Sequence, residues 1–196
     1  MTRDTMSQNA LLPLFLKVDG RRVVVVGAGP VAERKVTTLR ESGARVCVVA
    51  PDSTEAIARS AAAGEIEWRA RGFADGDLDG AWLVFAATSD PEVQRRVGDA
   101  ARERRVFCVA VDDPPNATAY SGSVLRRPPY TIAISSSGAA PALTRLLREV
   151  LESILPGDDW VEHAARLRAK WMAEKTPMEA RFSELVRAFA ERTPKS

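Results

Sequence analysis

The sequence predicts an α/β protein built on a doubly wound parallel sheet. Three observations carry that prediction: short β-branched runs recur through residues 1–113, helix-like stretches separate them, and a glycine-rich turn follows the first run. Strands alternating with helices at short intervals are the mark of βαβ units and a parallel sheet.

The elements follow in order. Residues 1–10 are a polar tail, and Asp19-Gly20 is a turn signal. Val23–Val26 is short and continuously apolar, as a strand buried on both faces should be. Val31 to Ser42 reads as a helix stopped by Gly43, and Arg45–Ala50 as the second strand. Ser53 to Ala63 is a helix with Ser53 as its expected cap, ended by Gly64. Ile66–Arg69 is a short strand and Trp82–Ala87 a stronger one. Asp90 to Arg104 is a helix with Asp90 at its cap and Pro91 at its first position. Val106–Val111 is the fifth strand.

The pattern then changes. Asp113-Pro114-Pro115-Asn116 is expected to be irregular, because two prolines remove donors and restrict their neighbours. Residues 114–156 form a small α+β segment: strands at Tyr120–Leu125 and Tyr130–Ser136, then a helix from Ala139 to Leu155. Leu143, Leu146, Leu147, Val150, Leu151, Ile154 and Leu155 give that helix a wide apolar stripe made to be buried. The segment is too small for a core of its own. Pairing with a second copy in a two-fold dimer is the favoured cover, and packing on the chain's own sheet is the alternative. Residues 157–196 form a helical tail, with helices at Asp159–Ala173 and Pro177–Glu191.

Composition excludes several classes. A net charge of +2 without a basic run argues against nucleic acid as a partner. No apolar stretch reaches the roughly 18 residues of a membrane span, and Pro13 interrupts the run Ala10–Leu16 that a signal peptide would need. Cys47 and Cys108 sit inside apolar strands with no Cys-x-x-Cys spacing, so they read as buried, inert thiols in a cytoplasmic protein. His163 is the only histidine, and no metal-ligand cluster is evident.

The chemistry begins at Gly27-Ala28-Gly29-Pro30-Val31-Ala32, a G-x-G-x-x-A pattern between the first strand and the first helix. Gly27 permits the tight turn, Gly29 lets a pyrophosphate approach the backbone, and the helix N-terminus offers amides to the phosphates. Together these indicate a Rossmann-type dinucleotide site. Pro51 and Asp52, at the end of the second strand, are placed at the ribose. With no arginine immediately after Asp52 to take a 2′-phosphate, the expected cofactor is NAD. Thr88 and Ser89, ending the fourth strand, are placed beside the nicotinamide half.

Several segments in fixed order resemble the precorrin-2 dehydrogenase/sirohydrochlorin ferrochelatase family, which includes the amino-terminal half of bifunctional siroheme synthases. They are Leu12-Pro13-Leu14-Phe15, VVVVGAGPVAERK, VFAATSD, VFCVAVDDP, TIAISSSG and PALTRLLREVLE, ending near Leu155. The resemblance implies NAD-dependent oxidation of precorrin-2 to sirohydrochlorin, with ferrous-iron insertion in some members. It matches Asp112 to the family's catalytic aspartate and Ser136 to a serine near the substrate, phosphorylatable in some members. Arg126, Arg127, Arg145 and Arg148 are candidate partners for the carboxylates of the tetrapyrrole, since a guanidinium donates two parallel hydrogen bonds. The chain lacks the long methyltransferase module of the bifunctional synthases, so uroporphyrinogen methylation is expected to fall to another protein.

Val109, Gly122, Ser137 and Ala140 depart from residues common in the family, namely asparagine, proline, glycine and serine. All four departures fall on the substrate side. An NAD(H)-sensing module without catalysis, or a dehydrogenase for another anionic substrate, remain open readings, because one fold hosts many functions.

Overall fold

The computed structural model describes residues 11–111, 113–155 and 157–192. They fall into two compact units: one comprises the chain up to Gly122 with Ser135–Pro141, the other Ser123–Ile134 with the chain from Ala142 onward.

The first unit holds five parallel strands, β1 (Arg22–Val26), β2 (Arg45–Val49), β3 (Glu67–Arg69), β4 (Leu83–Ala86) and β5 (Phe107–Ala110), in the order β3-β2-β1-β4-β5. Three helices join them, α1 (Pro30–Glu41), α2 (Glu55–Ala62) and α3 (Pro91–Arg104). Alternate residues of the strands feed two separate cores. Val23, Val25, Val46, Val48 and Phe85 pack with Ala32, Val36 and Leu39 of α1 and Ile57 of α2. Val24, Val26, Cys47, Val49, Val84 and Cys108 pack with Val97, Ala100 and Ala101 of α3. Helices on both faces explain why β1 is apolar at every position and not at every second one. The predicted doubly wound sheet is present, and both cysteines are buried and free.

Local differences have local causes. The cap of α2 is Thr54, not Ser53: the Thr54 amide donates to the Ala28 carbonyl, which holds the chain extended for one more residue, and Thr54 Oγ1 then accepts from the Ile57 amide. Asp90 caps α3 as expected, accepting from the amides of Glu92 and Val93. Pro114–Asn116, expected to be irregular, forms a single 3-10 turn, because a proline at the first position has no amide left to satisfy. Beyond it, Thr118 Oγ1 accepts from the Cys108 amide, while the amides of Thr118 and Ala119 donate to the Cys108 carbonyl. Those bonds occupy the open edge of β5.

The second unit holds the antiparallel pair β6 (Ser123–Arg127) and β7 (Tyr130–Ile134), with helices α4 (Pro141–Ile154), α5 (Asp158–Ala173) and α6 (Met178–Arg192). Strand β6 runs two residues further than expected. Arg127 pairs with Tyr130, so only Pro128-Pro129 is left for the turn, and Arg126 and Arg127 stand in the ladder and not in the loop. Trp171 is buried, and its indole N–H donates to Glu184, joining α5 to α6. Along α4 only Thr144 is buried; Leu143, Leu146, Leu147, Val150 and Ile154 are exposed in the single chain. No described helix is long and apolar enough to cross a membrane.

Candidate dinucleotide-binding site

The strand order places the crevice. Helix α1 leads from β1 to β2 along one face, α3 leads from β4 to β5 along the other, and the order reverses between β1 and β4. Ligands of open α/β sheets bind outside the carboxyl ends of the strands at such a point. The loop Gly27-Ala28-Gly29 leaves β1 there, and Ala87-Thr88-Ser89 leaves β4 beside it.

The two glycines do different work. Gly27 has φ +105° and donates its amide to the Val49 carbonyl at 2.9 Å. A Cβ on it would run into the Ala87 carbonyl, at 2.7 Å from the carbon and closer still to the oxygen. Gly29 has an ordinary extended conformation, φ −82°, and a Cβ on it would meet nothing within 4 Å. Neither strain nor packing calls for glycine at that position. Open space above a bare backbone, at the start of a helix with no side-chain cap, fits a pyrophosphate. Pro30 has no N–H and the Glu33 amide donates to the Gly29 carbonyl, so Val31 and Ala32 supply the unspent helical amides.

Around this loop the expected contacts converge. Ala50 ends the course of β2 and carries Pro51 and Asp52, both exposed at the same sheet edge. The Thr54-to-Ala28 hydrogen bond ties that stretch to the glycine loop at 3.1 Å. On the β4 side, Thr88 Oγ1 accepts from the Asp90 amide, which fixes the turn carrying Ser89. Asp112 lies outside the described residues; its neighbour Val111 continues the sheet by donating to the Ala86 carbonyl at 3.0 Å.

The sequence reading passed over one residue here. Gln94 of α3 donates from Nε2 to the carbonyls of Thr88 and Val111. The signal was present: a glutamine in register with Val97 and Ala101 on the buried face of α3.

The substrate-side candidates are placed separately. Ser136, in the first unit, is half-buried and its Oγ accepts from the Ala140 amide at 3.0 Å, stiffening the loop that leads to Pro141. In the second unit, Arg127 donates to the carbonyls of Leu155 and Glu152 at the end of α4. Arg145 pairs with Glu149, and Arg148 with Glu149 and Glu152, along the same helix. Arg126 pairs across the ladder with Thr131. Among the described residues, no group of three or more histidine, cysteine, aspartate or glutamate side chains stands together as a metal site.

A glycine loop at the switch point of a 3-2-1-4-5 parallel sheet defines a dinucleotide-binding protein. Residues 14–123 match a family model described as putative NAD(P)-binding, and residues 130–154 match one described as sirohaem biosynthesis protein central. The chain belongs to this putative NAD(P)-binding family, and its second match is in line with the resemblance seen in its sequence. Siroheme synthase 3 of Aeromonas hydrophila subsp. hydrophila is 42% identical over 174 residues, 89% of this chain and 36% of that protein. Siroheme synthase 1 of Pectobacterium atrosepticum is 46% identical over 145 residues, 74% of this chain and 30% of that protein. The chain thus spans about a third of the length of these relatives. A solved structure named "SirC, precorrin-2 dehydrogenase" shares the fold, with a TM-score of 0.71 over 90% of this chain and 88% of that one at 22% identity.

Proposed function

We propose that this chain is an NAD-dependent dehydrogenase that oxidises precorrin-2 to sirohydrochlorin. The observation that carries the reading is the open space above Gly29, at the mouth of a sheet whose sequence matches the siroheme synthases. The substrate is taken from the names of those relatives and of the solved structure that shares the fold.

When bound, NAD supplies the hydride acceptor. Val31 and Ala32 amides hold the pyrophosphate over Gly29, and Asp52 accepts from the ribose hydroxyls. Arg69 and Arg71, at the end of β3 and next to β2 in the sheet, have their guanidinium groups committed to Asp77. Neither is then spare for a 2′-phosphate, in keeping with NAD. Thr88 and Ser89 border the nicotinamide half. Asp112 takes up a proton as the hydride leaves the tetrapyrrole, the role that the resemblance gives it. Ser136, Arg126, Arg145 and Arg148 are the candidates for the macrocycle and its carboxylates, whereas Arg127 donates to the carbonyls of a helix end.

A homodimer in the cytoplasm completes the reading. The exposed stripe of α4 suits a second copy, and two buried thiols without a disulfide suit a reducing compartment.

The test is an anaerobic assay with enzymatically generated precorrin-2 and NAD, following the sirohydrochlorin spectrum, with Asp112→Ala alongside. NAD-dependent product that the variant fails to make is the expected result. Turnover that survives the substitution removes Asp112 from the mechanism, and no turnover despite NAD binding removes precorrin-2.

A further inference from the structure

Gln94 is a polar side chain in an apolar place. Helix α3 buries Gln94 together with Val97, Ala100 and Ala101, and the i, i+3, i+7 spacing of Gln94, Val97 and Ala101 puts the amide where the helix pattern calls for hydrocarbon. Its Nε2 donates to the Thr88 carbonyl at 3.1 Å and to the Val111 carbonyl at 3.0 Å. Spending both protons on carbonyls fixes which end of the amide is nitrogen. Oε1 is left buried with no hydrogen-bond partner among the described residues. A buried acceptor without a donor costs free energy, and its persistence calls for a reason.

The reason lies in what the two carbonyls belong to. Thr88 follows β4, on the border of the nicotinamide half, and Val111 follows β5, one residue before Asp112 in the sequence. The ladder between the two strands runs from Leu83 and Phe107 and ends at Ala86 and Ala110, and the Val111 amide adds one bond to Ala86. Beyond that level, among the described residues, Gln94 bridges the two departing chains. Its own backbone is anchored, with its amide donating to Asp90 at 3.0 Å, within the turn that Asp90 caps.

We propose that Gln94 is a positioning residue, whose carboxamide sets the spacing between the ends of β4 and β5 and so orients the nicotinamide half toward the strand end that leads to Asp112. This rests on the dinucleotide site proposed above. It predicts an effect confined to one half of the cofactor, because the glycine loop and Asp52 share no hydrogen bond with Gln94.

The experiment compares two ligands, NAD and ADP-ribose, which lacks the nicotinamide ring. Calorimetric titration of Gln94→Met, close in length but without donors, should leave ADP-ribose affinity within about twofold of wild type and weaken NAD by about tenfold, the worth of roughly one lost hydrogen bond. Gln94→Asn, which keeps an amide too short to reach both carbonyls, should fall between. A purely structural role would weaken both ligands alike or neither, and either result overturns the proposal. In the wild-type protein the Gln94 side-chain amide protons should exchange slowly with solvent by NMR; rapid exchange would also overturn it, whether or not the variants fold. Because these readouts are binding and exchange, a wild type that fails to oxidise precorrin-2 would sink the substrate assignment and not the role of Gln94.

Discussion

Gly27 and Ala87 are in such close approach that a Cβ on the glycine would lie 2.7 Å from the alanine carbonyl carbon and 3.1 Å from the Thr88 amide nitrogen. Both neighbours are backbone, held in the sheet by the Ala87 amide's bond to Val26, so neither can swing aside. Gly29, two residues on, has nothing within 4 Å. The pair predicts a split. Gly27→Ala should destabilise the fold by roughly 3 kcal/mol, from overpacking and the positive φ together. Gly29→Ala should leave stability within about 0.5 kcal/mol and still weaken NAD at least tenfold, because the methyl fills the pyrophosphate's space. Urea unfolding and titration with NADH separate the two effects. Unchanged NAD binding in Gly29→Ala would mean that no pyrophosphate crosses that residue.

Much of this was legible in the sequence because glycine motifs and strand alternation are local. The β1–loop–α1 unit, the Asp90 cap and the buried cysteines all follow from short-range patterns. What was not legible depends on partners distant in the chain. Ser53 and Thr54 are equivalent as caps until the Ala28 carbonyl selects between them. Arg126 and Arg127 looked like loop residues until the β6–β7 register placed them in the ladder. Gln94 read as one more polar residue of a helix, and only the carbonyls of Thr88 and Val111 give it a role.

Ser137 stands where the resembled family commonly has glycine, and the backbone gives the reason for that glycine: φ is +54°. Arg105 is a second such case, at φ +56° where α3 ends, with the Val106 amide closing back to Ala101 at 2.9 Å. Helices commonly finish on a left-handed glycine at this position. Arg105→Gly should therefore stabilise the first unit by about 0.5–1 kcal/mol, raising the melting temperature by a few degrees. Ser137→Gly should act in the same direction, since the glycine keeps the backbone amide's bond to Ser135 Oγ. A fall in melting temperature for Arg105→Gly would show that its side chain contributes more than its backbone costs.

The apolar stripe of α4 predicts assembly. Leu146 and Ile154 are 55% and 64% exposed in the single chain, far from the burial their pattern calls for. Light scattering after size exclusion should give twice the 21.3 kDa chain mass. The double variant Leu146→Glu/Ile154→Glu should give the monomer, since a charge in a desolvated interface is costly. A wild-type monomer at micromolar concentration would leave the stripe to another cover.

Cys108 is fully buried, and burial pushes its thiol up to about 11; Cys47 is raised as well, by burial and then by the charge of Glu67. Thiolate is the reactive form, so at pH 8 only about one Cys108 in a thousand is ionised. Intact-mass analysis after an hour with iodoacetamide should find no adduct on the folded protein and two in guanidinium. Modification of either cysteine in the native state would mean that the strand carrying it opens.

Asp77 is 1% exposed and sits where the chain turns from β3 toward β4. Burial opposes its ionisation, but hydrogen bonds from Arg71, the Ala74 amide and Arg69, with the charge of Arg71, outweigh that and hold its carboxyl well below the usual carboxylate range. A native pKa below the unfolded value of about 3.9 means that the folded state releases the proton more readily. Its contribution is therefore whole above that pH and is lost as the pH falls toward the native value. Asp77→Asn removes the charge and leaves two guanidinium groups without their shared carboxylate, at a cost of roughly 2–4 kcal/mol at pH 7. The gap in urea midpoint between wild type and variant should narrow between pH 5 and pH 3. A gap that stays constant over that range would mean that Asp77 stabilises this turn by its shape and its bond to the Ala74 amide, not by its charge.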